Sequence, residues 1–129
     1  MTCDFIKADN MEVVNAWHKH HGQGEMPFEA LPPNAFIVYD GTMPIASGAV
    51  YMTDSPLCYM EAVVSNPVAT LEQRRAAVGI LFDNMVGAAR FNGRKWWAAT
   101  SKEIAMGEWA KKYKVTQSGE GYYWFTGET

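Results

Sequence analysis

Glu61 stands out in the run LCYMEAVVS as a carboxylate among apolar and aromatic neighbours. An unpaired charge is costly to bury, so such a residue is salt-bridged, solvated on an open sheet face, or functional. Where it is desolvated, its pKa rises toward the range in which a carboxylate takes a proton from a reacting group. Glu61 is the candidate general base. A second stretch, TLEQRRAAVG, supports two readings. In one, Arg74 leads a turn whose backbone amides, from Arg75 through Ala76, Ala77, Val78 and Gly79, cradle a pyrophosphate, because free amides at a helix N-terminus favour negative charge. In the other, Thr70 and Gln73 form a capping box and the helix begins near Leu71. Amides at positions 75–79 are then tied up in helical bonds, and the anion is left to the side chains of Arg74 and Arg75.

Other chemistry is poorly served. His18 and His21 in HKHHG share a helical face, but no Cys or acidic partner lies at ligand spacing. They read as exposed helix-end histidines, favourable near the C-terminal dipole, and no metal is expected. The two cysteines, Cys3 and Cys58, lack CxxC spacing and read as buried thiols in a reducing compartment. There is no Ser-His-Asp arrangement and no nucleotide P-loop. The aromatic set Trp96, Trp97, Tyr122, Tyr123, Trp124 and Phe125 fits core packing better than base stacking, and the formal net charge of −3 argues against a nucleic-acid surface. No apolar run approaches the roughly 20 residues needed to span a bilayer. The start, MTCDFIKADN, lacks the basic and apolar segments of a secretory signal, so a cytoplasmic location and no membrane partner are expected.

These residues need elements to hold them. The chain of 129 residues is one domain's length, and a hydrophobic fraction of 48% gives it a real core. TCDFIK reads as an opening strand. DNMEVVNAWHKHHG reads as a helix capped by Asp9 or Asn10, with Met11, Val14 and Trp17 or His18 inward and Gly22 at its end. GQGEMPFEALPPN is a Gly- and Pro-rich loop with one helical turn. AFIVYD and PIASGAVYM flank the hairpin signal DGTMP, and LCYMEAVVS follows the turn cluster TDSP. Alternation in that third strand places Tyr59, Glu61, Val63 and Ser65 on one face. Val78, Leu81, Phe82, Met85, Ala88 and Ala89 then mark a long helix closing at FNG. KWWAAT reads as a strand, KEIAMGEWAKKYK as a shorter helix and GYYWFTG as a final strand. This order gives an α/β (α+β) fold with a mixed sheet, in a single domain over 1–129.

The order resembles the GNAT superfamily of N-acetyltransferases, most closely from Asp40 to Val115. Small acetyltransferase-like proteins of tailed phages look similar around LPPNAFIVYDG, VYMTDSPLCYMEAVVSNP and the Arg pair opening the long helix. The resemblance implies a mostly antiparallel sheet with helices on both faces and a splay between the YMEAVVS and KWWAAT strands. Acetyl-CoA, the implied co-substrate, would lie there against backbone groups of Val63, Val64 and Ser65. Glu61 would take the proton of the incoming ammonium, and attack would be direct. The family's pyrophosphate motif has glycine where this chain has Ala77, while Arg74 and Gly79 match.

Two further positions depart from the family. Ser101 stands where it commonly has a cofactor-anchoring asparagine. Trp109 stands where it often has a tyrosine that protonates the leaving thiolate, and Tyr113, one helical turn away, is the substitute. The resemblance implies an acetyltransferase acting on a small-molecule or protein amine, in the host cytoplasm if phage-encoded, with a homodimer left open. The rival reading is a GNAT-shaped binding module without turnover, holding a protein partner as a phage inhibitor or virion component would. The departures at Ala77, Ser101 and Trp109 favour the rival; Arg74, Gly79 and Glu61 count against it. Specificity for the acceptor would reside in the HGQGEMPFEALPP loop; the resemblance places this loop and the helix before it beside the acceptor, which makes His18, Glu25 and Phe28 candidate contacts.

Overall fold

A computed structural model describes residues 1–101, 116–118 and 123–129. The period-two runs become strands β1 (Thr2–Phe5), β2 (Ala35–Asp40), β3 (Met43–Met52), β4 (Leu57–Ser65), β5 (Trp96–Ser101), β6 (Thr116–Ser118) and β7 (Tyr123–Glu128). The helical periodicities become α1 (Met11–His20) and α2 (Leu71–Phe91). The chain packs as two compact units, Met1–Ala49 with Ala62–Met85, and Val50–Glu61 with Val86–Thr129.

In the first unit β1 pairs antiparallel with β2 and β2 with β3, in the order β1-β2-β3-β4. The β2–β3 turn is the expected Asp-Gly turn: Gly41 has φ +62°, a left-handed conformation that glycine adopts without a Cβ clash. Ala35, Phe36, Ile37 and Val38 are buried in succession, as are Ile45 through Ala49. Successive strand residues point to opposite faces, so β2 and β3 are covered on both. Met11, Val14, Trp17 and His18 form the buried face of α1. Asn10 precedes α1 without a side-chain cap; its Oδ1 accepts instead from the Lys7 N–H at 2.9 Å. On α2, Ala77, Leu81 and Met85 are fully buried at four-residue spacing, beside Phe82. Gly48 makes room for this helix. A Cβ there would meet Met85 Sδ at 3.1 Å and Leu81 Cδ2 and Val63 Cγ2 at 3.2 Å.

In the second unit β4 pairs parallel with β5, β5 antiparallel with β7, and β7 antiparallel with β6, in the order β4-β5-β7-β6. Among the described pairings, β4–β5 is parallel and the other four are antiparallel, so the sheet is mixed and mostly antiparallel. Trp97, Ala98 and Ala99 are fully buried in β5. Arg94 supports the β3–β4 turn through Nη2, which donates to the Thr53 carbonyl at 2.8 Å. β6 was not foreseen in the sequence. The expected helix KEIAMGEWAKKYK, with Trp109 and Tyr113, lies outside the described residues.

Candidate functional site

Strand β4 carries candidate residues of both units: Glu61 in the second, and Val63, Val64 and Ser65 in the first. Its parallel ladder with β5 joins Leu57 to Trp96, Cys58 to Trp97 and Tyr59 to Ala98, and ends there, although β4 continues to Ser65 and β5 to Ser101. Beyond the last rung, Ala62 has φ +57°, the one left-handed non-glycine residue among those described. Such a conformation costs roughly 1–2 kcal/mol. Non-glycine residues held this way concentrate at functional sites. Val63 turns a methyl toward Gly48 and the α2 side chains Leu81 and Met85. Glu61 lies beside Tyr51, whose phenol is pushed above its ordinary range first by burial and next by the Glu61 charge. Tyr51 was not singled out in the sequence, because only hairpin register brings it to Glu61. Val64 is buried, while Glu61, Val63 and Ser65 are half-buried.

The strand-to-helix turn is set by Asn66, a buried polar residue with its groups satisfied. Its N–H donates to the Ile45 carbonyl at 2.7 Å and its Nδ2 to the Pro44 carbonyl at 2.9 Å, while its Oδ1 accepts from the Val68 N–H at 3.0 Å. Helix α2 then opens with the capping box. The Thr70 N–H donates to Gln73 Oε1 at 2.9 Å, and the Gln73 N–H donates to Thr70 Oγ1 at 3.1 Å. Gln73 Nε2 also donates to Asp40 Oδ2 at 3.1 Å, anchoring the box to the β2–β3 turn.

Of the two readings of TLEQRRAAVG, the structure takes the second. The Arg74 N–H already bonds the Thr70 carbonyl at 2.9 Å. Arg75, Ala76, Ala77, Val78 and Gly79 are therefore helix body, and Ala77 is fully buried. What this end offers an anion is the amides of Leu71 and Glu72, which the box does not use, and two guanidinium groups. Arg75 is exposed; Arg74 is half-buried, and its Nε is shielded from water without a protein hydrogen-bond partner. Glu72 places a carboxylate on the same turn.

The α1 histidines differ from expectation. His18 is buried, with Nδ1 2.5 Å from Gln23 Oε1. The Gln23 carboxamide explains how an imidazole enters the core, since a buried polar ring needs a partner. His21 is exposed, yet its Nε2 lies 3.1 Å from the Ser65 carbonyl. Glu25 forms an ion pair with Lys19, and Phe28 is exposed on a short 3-10 turn. Among the described residues no group of three or more His, Cys, Asp or Glu is arranged to hold a metal, and no helix is long and apolar enough to cross a membrane. Ser101 closes β5, its backbone paired with Tyr123.

No family model and no curated protein matches the sequence. Solved structures do match the fold. Ard1 from Thermoplasma volcanium superposes with a TM-score of 0.77 at 10% identity, covering 99% of this chain and 97% of that one. Rv2747 from Mycobacterium tuberculosis, in complex with CoA, gives 0.75 at 10% identity over 100% and 99%. N-acetylglutamate synthase from Neisseria gonorrhoeae, complexed with coenzyme A and L-arginine, gives 0.74 at 11% identity; 98% of this chain is covered but only 32% of that longer one. The chain has the fold of the GNAT acetyltransferases.

Proposed function

We propose that this chain is an acetyl-CoA-dependent N-acetyltransferase that acts on a primary amine. The observation that carries the reading is the end of the β4–β5 ladder at Tyr59, followed by the left-handed backbone at Ala62. In this reading a ligand meets the backbone of β4 beyond the ladder, at Val63, Val64 and Ser65. The fold's likeness to a protein crystallised with CoA supports it. The charge at the start of α2 fits a phosphate-bearing thioester, since a shielded Arg74 Nε has no partner within the chain.

The thioester supplies the activated acyl group, and the rest falls to the protein. Backbone groups of Val63, Val64 and Ser65 hold the pantetheine arm. Arg74 and Arg75, with the first amides of α2, neutralise the pyrophosphate, while Ala76, Ala77, Val78 and Gly79 serve as the helix that positions those arginines. Ser101 takes the place of the family's asparagine. Glu61, next to Tyr51, accepts the ammonium proton directly or through water, and Tyr113 returns a proton to the leaving thiolate. Most of the rate gain comes from proximity and from amides that polarise the carbonyl.

Turnover against a panel of primary amines, followed as thiol release, tests this. Glu61→Gln is expected to lower kcat by about 10²-fold or more while acetyl-CoA binding persists. An equally active Glu61→Gln enzyme would remove Glu61 from the mechanism. One observation favours the second reading, a GNAT-shaped binding module such as a phage-encoded inhibitor or virion component. The amides of residues 75–79 are committed to the helix. That reading predicts no thiol release with any amine.

A further inference from the structure

We propose that His21 is a positioning residue that couples the loop between α1 and β2 to the end of β4. This rests on the acetyltransferase reading, which lays the pantetheine arm along that strand. A carbonyl oxygen only accepts hydrogen bonds, so the His21–Ser65 contact at 3.1 Å requires the ring proton on Nε2.

Both ends of this bond are braced. At Ser65 the next residue, Asn66, is buried and bonded to the Ile45 and Pro44 carbonyls, which leaves the Ser65 carbonyl little freedom. At His21 the backbone N–H is held by the Trp17 carbonyl at 3.1 Å, and the ring meets His20 edge-on with centroids 5.2 Å apart. The following loop is fastened to α1 by bonds of its own. The Gln23 N–H donates to the His18 carbonyl at 2.8 Å. Asn15 clamps Met26 from both sides, Nδ2 donating to the Met26 carbonyl at 3.0 Å and Oδ1 accepting from its N–H at 2.8 Å. Lys19 pairs with Glu25. Loop and helix end therefore move together, and His21 joins them to β4. Acetyl-CoA bound along β4 quiets the loop that faces the amine, and by linkage an amine held by the loop tightens acetyl-CoA.

Hydrogen exchange at the Gln23 and Met26 amides, with and without acetyl-CoA, tests this in the full-length chain. In the wild type, acetyl-CoA is expected to slow exchange at both amides by about tenfold. His21→Ala, at an exposed position, is expected to bind acetyl-CoA yet lose this added protection. His21→Gln retains an N–H of similar reach and is expected to restore it, which a residue with a purely structural role would not require. Full protection in a His21→Ala protein that binds acetyl-CoA would overturn the coupling alone. A wild type that binds no acetyl-CoA would overturn the acetyltransferase reading and the coupling with it.

Discussion

Cys58 and Glu61 share one strand and meet opposite chemical conditions. The Cys58 thiol is fully buried, and burial raises its pKa to about 11 against the smaller pulls of Arg94 and its own backbone hydrogen bond. Cys3 is likewise raised to about 11, by burial and then by Asp4. A nucleophilic thiolate is therefore scarce at both cysteines at neutral pH, which accords with the direct attack proposed above. The folded pKa values lie above the ordinary value of 9.0, so the folded chain holds these protons more tightly than the unfolded one. Their stabilisation is complete below pH 9 and is lost as pH rises through about 11. Urea midpoints across that window are expected to fall, and less steeply in Cys58→Val; a flat profile would contradict the burial argument. Glu61 stood out as a candidate because a carboxylate in an apolar strand has few explanations. Its neighbour Tyr51 was not, because register across a hairpin is not written in either residue. His18 was misjudged as exposed because its partner, Gln23, lies in the loop beyond the helix.

Elements were most legible where one signal dominated. The capping box in TLEQ fixed the start of α2, and the uninterrupted three-and-four spacing carried it to Phe91. The left-handed turn at Ala62 was invisible, because nothing in the residues MEAVV announces a positive φ where glycine is absent. The burial alternation nevertheless runs through the strand, with Cys58, Met60 and Val64 buried and Tyr59, Glu61, Val63 and Ser65 half-buried. β6, at three residues, is too short to carry a period. Substitutions at Ala62 separate strain from function. Ala62→Gly relieves the Cβ clash and is expected to leave stability within about 1 kcal/mol of wild type. Ala62→Val adds a β-branched side chain at the same φ and is expected to cost about 2 kcal/mol or more in chemical denaturation. Equal stability of the two variants would show that the backbone there relaxes readily.

For the molecule as a whole, sequence identity near 10% accompanies superposition over nearly the full chain. Burial pattern, turn chemistry and caps specify this fold, which is why element order pointed to it although the pyrophosphate motif is matched at Arg74 and Gly79 and not at Ala77. The chain's net charge of −3 gives no general attraction for anions, so any affinity for a polyphosphate must arise locally, and the proposed place is Arg74 and Arg75. Calorimetric titration of acetyl-CoA into the wild type and an Arg74→Ala, Arg75→Ala double variant measures this directly. The account predicts micromolar affinity in the wild type and a loss of about tenfold or more in the variant, the scale of a lost charge-assisted contact. No heat from the wild type at millimolar acetyl-CoA, or identical affinities for the two proteins, would contradict it.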